Sequence, residues 1–371
     1  MKSNLTADEI EARLGDPTGP WGIRTFKNPR GLRPRHQNDI IKFIECDYMP
    51  ISPTTHLVEE ESVSKEHGGM RLFPHQVRVL NHVFTPKKGR LPYSTIIWSD
   101  LKKSGKTALE AAVMCAWARV YGGEIYGLAN SMTQAADRAF ARVINFFNWL
   151  KREDLNRYTR WVERQDVEWV ETRDPYSSIR FLPVSPGSAA GAFQSLTAWD
   201  ELWNFDRTAA IRLYTEMQPI PTIPDRVLPE WSVTPGYVVK SPSVRFIATY
   251  VGYYGEAPLL WELFSQTVDE DPDTGRPRGN RVRGLEDLPC FVSDDGRTFA
   301  YWNQDIPRMP WQTPEFIDEA RNEPGNKLMP EEFKRLWQNR WTTGSESFID
   351  MHQVDSLMEE GDAMGLYNLH P

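Results

Sequence analysis

A chain of 371 residues, 40% hydrophobic and 25% charged, has the composition of a soluble globular protein and is long enough for one large domain or two. A net charge of −8 argues against a passive nucleic-acid binder, which is usually basic, but not against a protein that grips DNA through a local patch or one face of a ring. No apolar run reaches the ~20 residues of a membrane span, MKSNLTADEIEARLGD lacks the h-region of a signal peptide, and Cys46, Cys115 and Cys290 form neither a metal pattern nor a disulfide framework, which fits a reducing cytoplasm.

Residues 1–60 read as a polar, proline-containing N-terminal arm. Within it, Arg24, Lys27, Arg30, Arg33, Arg35 and Lys42 make either a basic arm or a solvated irregular surface. DIIKFIECDY reads as a short amphipathic helix. FPHQVRVLNHVF has helical spacing, with Val77, Leu80 and Phe84 on one face. YSTIIWS is β-rich, and KTALEAAVMCAWARVYGG is an alanine-rich helix stopped by Gly122 and Gly123. EIYGLANS reads as a strand, MTQAADRAFARVINFFNWLKRE as an amphipathic helix, and SIRFLPVS, SLTAWDE and VRFIATYVG as further strands. Strands alternating with helices predict an α/β fold, a mainly parallel sheet covered on both faces.

After about residue 256 the texture turns polar. Asp269, Asp271 and Asp273 do not make a calcium loop, because the glycine comes one place late at Gly275 and Asn280 stands where a glutamate is needed. CFVSDDGRTFAYW predicts a hairpin around Asp295 and Gly296, and TPEFIDEARNEPG and MPEEFKRLWQNRW predict short helices, together a small appended subdomain.

The chemistry-bearing stretch is SDLKKSGKTALEAA, residues 99–112. Strand, loop and helix in that order let backbone N–H groups and a helix N-terminus hold phosphate. Lys102, Lys103, Ser104 and Gly105 form the loop. Lys106 would neutralise the β- and γ-phosphates, and the Thr107 hydroxyl would ligate Mg²⁺. The pattern departs from the strict motif, since Asp100 stands where its first glycine belongs. In SLTAWDEL, Asp200 at the end of a strand beside the loop would hold the Mg²⁺ shell, and Glu201 would orient and deprotonate the attacking water. Upstream, the amide of Gln76 in FPHQ suits the edge of an adenine.

In this order the motifs resemble the ATPase domain of the large terminase subunit, the DNA-packaging motor of tailed bacteriophages. RLFPHQVRVLNHVF is similar to its adenine-side motif, DLKKSGKT to its divergent phosphate loop, and EIYGLANSMTQA to its second strand. AAGAFQSLTAWDELWNF is similar to the stretch with the acidic pair, RFIATYVGYYGE to the coupling motif with Thr249, and PEEFKRLWQNRWTTGSESFID to the segment leading out of the ATPase part. The resemblance spans about residues 40–355. It implies a RecA-like (ASCE) P-loop NTPase core over residues 61–255, a lid or linker subdomain over 256–345, and a tail, 346–371, leading towards a nuclease domain that the chain lacks. It also implies ATP and Mg²⁺ as cofactors, and Lys102 or Lys103 as the basic residue before the Gly-Lys pair. The implied partners are double-stranded DNA, the capsid portal protein, the small terminase subunit and further copies of the chain in a ring, a pentamer, with no membrane. The implied location is the host cytoplasm, transiently at the procapsid portal.

Two features depart from the family pattern. The usual place of its trans-acting arginine finger holds Ser188, Ala189, Ala190 and Gly191, leaving Arg138, Arg142 and Arg180 as alternatives. The acidic residues Asp350, Asp355, Glu359, Glu360 and Asp362 suit a solvated tail and not a two-metal nuclease, so no nuclease activity is expected. Two rivals stand beside this reading. A two-domain (superfamily-2-like) helicase or DNA-dependent ATPase needs a second RecA-like domain with an arginine-rich motif, which residues 250–371 do not contain. A non-catalytic nucleotide-binding capsid-assembly protein has no need of Glu201.

Overall fold

The structure, a computed structural model, describes residues 38–130, 139–183, 193–271 and 277–343. The basic arm from Arg24 to Arg35, the residue Arg138, the Ser188–Gly191 stretch, Asp273 and Gly275, and the acidic tail lie outside these residues.

Among the described residues, nine strands form one sheet in the order β10-β11-β1-β9-β6-β2-β5-β4-β3. They are β1 (Thr95–Ser99), β2 (Gly123–Ala129), β3 (Val162–Gln165), β4 (Trp169–Thr172), β5 (Ser177–Pro183), β6 (Gln194–Asp200), β9 (Val244–Thr249), β10 (Cys290–Val292) and β11 (Thr298–Trp302). A small ribbon of β7 (Arg226–Val227) and β8 (Val238–Val239) stands apart. The pairings from β11 through β5 are parallel, and β10, β4 and β3 are antiparallel edges.

The central strands read as unbroken apolar runs because both their faces are buried. Ile96 and Trp98 of β1, Ala198 of β6, Phe246 of β9 and Tyr301 of β11 enter one hydrophobic cluster. Their alternating neighbours Ile97, Trp199, Ile247 and Trp302 enter a second on the opposite face. Each fully buried large side chain of this kind contributes about 1.5–3 kcal/mol.

The helices over the first face are α1 (Asp39–Cys46), α2 (Pro74–Phe84), α3 (Lys106–Val120) and α4 (Ala139–Glu153), followed by the short α5 (Leu155–Trp161). Helix α3 is buried nearly all round, as a central helix must be. Gly122 ends it at φ 75°, where a Cβ would lie 2.7 Å from Pro175. Helix α1 falls inside the expected N-terminal arm, but Ile40, Phe43 and Ile44 lock it into the core. Asp39 is also buried, accepting from the Ser232 hydroxyl and the Val233 N–H. Helices α6 (Arg207–Glu216) and α7 (Pro258–Thr267) cover the second face.

The expectation that residues 256–345 form an appended subdomain is corrected in part. β11 pairs in parallel with β1 along its whole length, so the hairpin extends the central sheet, and the apolar TFAYW segment is buried for that reason. A helical segment, labelled the lid below, follows later in the chain: α8 (Pro314–Asn322), α9 (Pro324–Leu328), α10 (Pro330–Phe333) and a π-helical turn, Lys334–Gln338. Its apolar cluster joins Phe333, Leu336 and Trp337 to Tyr250. Cys46, Cys115 and Cys290 are buried free thiols. Among the described residues no helix is long and apolar enough to cross a membrane.

Candidate functional site: a phosphate loop beside an acidic pair

The loop leaves β1 at Ser99 and enters α3 at Lys106, at the C-terminal edge of the parallel strands, where open α/β sheets bind ligands. Gly105 caps α3 with φ 80°; an added Cβ there would meet nothing within 4 Å, so the backbone conformation and not space requires glycine. Lys103 is also left-handed, at φ 65°.

Lys106 is buried, and its Nζ donates to the carbonyls of Asp100 at 2.8 Å and Leu101 at 3.0 Å. Burial lowers its pKa, while Asp100, Glu201 and Asp200 act the other way. The ammonium therefore sits between the loop's own carbonyls and the field of the acidic pair. Thr107 is the second residue of α3.

The structure explains the missing first glycine. The Asp100 side chain is buried, and its Oδ1 accepts from the Leu101 N–H at 2.8 Å and from Asn303 Nδ2 at 2.7 Å. Asp100 thus pins the base of the loop to the residue that follows β11. The rest of the loop is clasped by the lid and by the turn that precedes it. The Lys102 N–H donates to the Leu336 carbonyl at 2.7 Å, Gln312 Nε2 donates to the Lys102 carbonyl at 2.9 Å, and Trp311 Nε1 to that of Lys103 at 2.7 Å. The Lys102 ammonium lies 6.0 Å from the Trp337 ring centre. Ser104 Oγ is buried without a hydrogen-bond partner, so its O–H is placed to donate to a bound anion.

Asp200 ends β6, and Glu201 follows in a left-handed conformation, φ 59°. One strand, β9, runs between this strand and the loop strand β1, Ser99 pairing with Thr249 and Asp200 with Ala248. The three strands end level, so the acidic pair still faces Lys106. The Glu201 N–H donates to the Ala248 carbonyl at 2.8 Å. Its Oε2 accepts from the Tyr250 hydroxyl at 3.1 Å and Trp203 Nε1 at 3.3 Å. Thr249 is fully buried and its hydroxyl donates to the Tyr250 carbonyl at 2.8 Å; its link to the loop is its own carbonyl, which accepts from the Asp100 N–H at 3.2 Å.

A third carboxyl, Glu110, lies one turn into α3. Burial, with the charges of Asp200 and Glu201, pushes it well above the usual carboxylate range. Arg335 is buried in the lid, paired with Glu332 at 2.6 Å and stacked 4.0 Å from the Trp203 ring centre and 5.1 Å from that of Tyr250.

Gln76 lines a cleft of about 280 Å³ together with Phe73, Ser104, Gly105 and Trp311. Its Oε1 accepts from the Phe73 N–H at 3.0 Å, which fixes the amide at the start of α2. Arg142, on α4, lines the same cleft and is paired with Glu59 at 3.0 Å, so it faces the phosphate loop of its own chain. Arg180 is not brought to the site: it lies on β5, two strands beyond β6, bonded to Ser178 Oγ at 2.8 Å. Tyr250, Trp203, Arg335, Asn303 and Trp311 were not singled out by sequence reasoning. Tyr250 and Trp203 stand next to the quoted Thr249 and within DELW, and that adjacency was the only available signal.

Among the described residues no group of three or more His, Cys, Asp or Glu side chains is placed to hold a metal. A hydroxyl at the start of α3 and a carboxylate at the end of β6 are the hard oxygen donors that suit Mg²⁺ held by one or two protein ligands plus phosphate and water.

No protein-family model matches the chain, and no curated protein matches it by sequence. Solved structures do. The large terminase of bacteriophage HK97 aligns with TM-score 0.50 and 16% identity over 82% of this chain and 55% of its own, so this chain spans about half of that protein's length. Two structures of the ATPase domain of the Thermus phage P74-26 large terminase, one a mutant, align at 14% and 13% identity with TM-scores of 0.43 and 0.44. They cover 73% and 71% of this chain and 100% and 98% of theirs. The chain therefore shares the fold of about half of the HK97 large terminase, a mainly parallel α/β sheet flanked by helices.

Proposed function

We propose that this chain is the ATP-hydrolysing motor domain of a viral DNA-packaging terminase. The observation that carries the reading is the meeting of Lys106 with Asp200 and Glu201 at one edge of the sheet, with Glu201 anchored by Tyr250 and Trp203. A site for binding alone has no use for a held carboxylate beside the phosphate loop.

In this reading the loop N–H groups and Lys106 take the triphosphate, Lys106 exchanging the carbonyls of Asp100 and Leu101 for phosphate oxygens. Thr107 and Asp200 would hold Mg²⁺, which neutralises charge developing on the transferred phosphoryl group. Glu201 takes the proton of the attacking water. Gln76 meets the adenine. Thr249 passes the change on through its backbone, since its carbonyl holds the loop and its hydroxyl holds Tyr250. The lid, bonded to the loop at Lys102, is the element that moves.

The proposed partners are double-stranded DNA, the capsid portal, the small terminase subunit and further copies in a pentameric ring, which supplies the trans-acting arginine. A ring reconciles DNA binding with a net charge of −8, because only the pore-facing patch need be basic.

The test is steady-state ATP hydrolysis by wild type and Glu201→Gln, with and without double-stranded DNA. Turnover that DNA stimulates and the substitution cuts by about 10²–10⁴-fold, with ATP binding retained, supports the motor. ATP binding without hydrolysis under any condition points to a domain that needs its ring partners for an arginine, or to a non-catalytic role.

A further inference from the structure

Trp311 is 44% exposed and takes no part in the lid's own apolar cluster. Its indole meets Phe73 edge-on, with ring centres 5.6 Å apart at 75°. Its Nε1 is held by the Lys103 carbonyl of the phosphate loop. The turn that carries it is fixed by Gln312, whose Oε1 accepts from the N–H groups of Arg308 at 3.1 Å and Met309 at 3.2 Å. Both rings line the cleft that opens onto Ser104 and Gly105, and Gln76 lies in its wall. Edge-on contact with Phe73 does not cover the faces of the Trp311 ring, which stays half-exposed in the wall of this cleft, and the part of a nucleotide that stacks on an aromatic face is its base.

We propose that Trp311 is the base-stacking residue of this site, its indole held at the cleft mouth by the bond to the Lys103 carbonyl. The inference rests on the nucleotide reading above and adds the residue that distinguishes a nucleotide from bare polyphosphate.

The experiment measures the affinity of the full chain for ATP and for inorganic tripolyphosphate in wild type, Trp311→Phe and Trp311→Ala. Wild type is expected to prefer ATP. Trp311→Ala should weaken ATP about tenfold and leave tripolyphosphate unchanged, while Trp311→Phe, which keeps a ring but loses the N–H, should stay within about threefold of wild type for ATP. Equal weakening of both ligands by Trp311→Ala would reduce the residue to a prop for the loop, and no weakening of either would place the base elsewhere; each overturns the proposal. Wild type that binds tripolyphosphate as tightly as ATP overturns base stacking alone and leaves the phosphate site standing. Wild type that binds neither overturns the nucleotide reading and this inference with it.

Discussion

The Tyr250 hydroxyl donates to Glu201 Oε2 at 3.1 Å, and the same ring lies 5.0 Å from the Lys106 ammonium and 5.1 Å from the Arg335 guanidinium. One side chain thus touches the proposed general base, the phosphate-loop lysine and the lid. Tyr250→Phe keeps the ring beside both cations and removes only the donor. Turnover should fall about tenfold with little change in ATP affinity, because the bond orients a base whose whole contribution is about 10²–10⁴-fold. Hydrolysis and binding measured side by side decide this. Unchanged turnover would mean that the Tyr250 hydroxyl does not position Glu201.

Asn339 closes the π-helical turn of the lid with φ 54° and is fully buried. Its Nδ2 donates to Ser99 Oγ and to the Asn303 carbonyl, both at 2.9 Å, and its Oδ1 accepts from the Val251 N–H at 3.0 Å. It therefore ties the end of β1, the segment after Thr249 and the exit of β11 to the lid. Asn339→Ala loses these bonds and forces a Cβ-bearing residue without a polar side chain into the left-handed region, a cost of about 3 kcal/mol or more. Asn339→Gly loses the bonds but not the backbone freedom and should be about 1 kcal/mol less damaging. Urea unfolding of both variants separates the two contributions; equal losses would show that the backbone angle carries no cost.

Much of this could be read from the chain because the signals are local. The strands from TIIWS to VRFIAT announce themselves as apolar runs, since both their faces are covered. The Gly-Lys-Thr loop and the Asp-Glu pair are likewise local, each a run of adjacent residues at a strand end or helix start. What stayed hidden depends on partners distant in sequence. Asp100 looked like a defect in the loop until its partner Asn303, 203 residues away, was placed beside it. The insertion of β9 between β1 and β6, and the pairing of β11 with β1, are long-range choices that no local pattern encodes. The edge strands β3 and β4, VERQ and WVET, are short and partly polar and gave no periodic signal.

Lys106 spends hydrogen bonds on two loop carbonyls and is buried against the preference of a charge for water. Lys106→Met keeps the length of the side chain and removes that charge. ATP affinity and turnover should both collapse, the former by at least about tenfold, because the main countercharge to the phosphates is gone. Stability without nucleotide should change little, within about 1 kcal/mol, since a lost bond to the carbonyls offsets a relieved desolvation. A variant that still binds ATP as wild type would remove Lys106 from the site, and thermal melts of the unliganded protein check the second half.

His75 sits between Phe73 and Tyr301, with ring centres 6.5 and 5.9 Å away, and its Nε2 is buried with no hydrogen-bond partner. Burial, helped by the charge of Arg308, pulls its pKa from 6.5 down to about 4. His82 is pulled to about 4 as well, by burial and Lys87. Between these values the unfolded chain binds protons that the folded chain refuses, so stability is full above about pH 6.5 and falls as the pH drops towards 4. His75→Phe fills the same aromatic slot without a titrating nitrogen. The stability of the variant relative to wild type should therefore rise steadily from pH 7 to pH 4.5, as read from urea midpoints at both values. A constant difference across that range would show that His75 keeps an ordinary pKa and that the acid sensitivity comes from elsewhere.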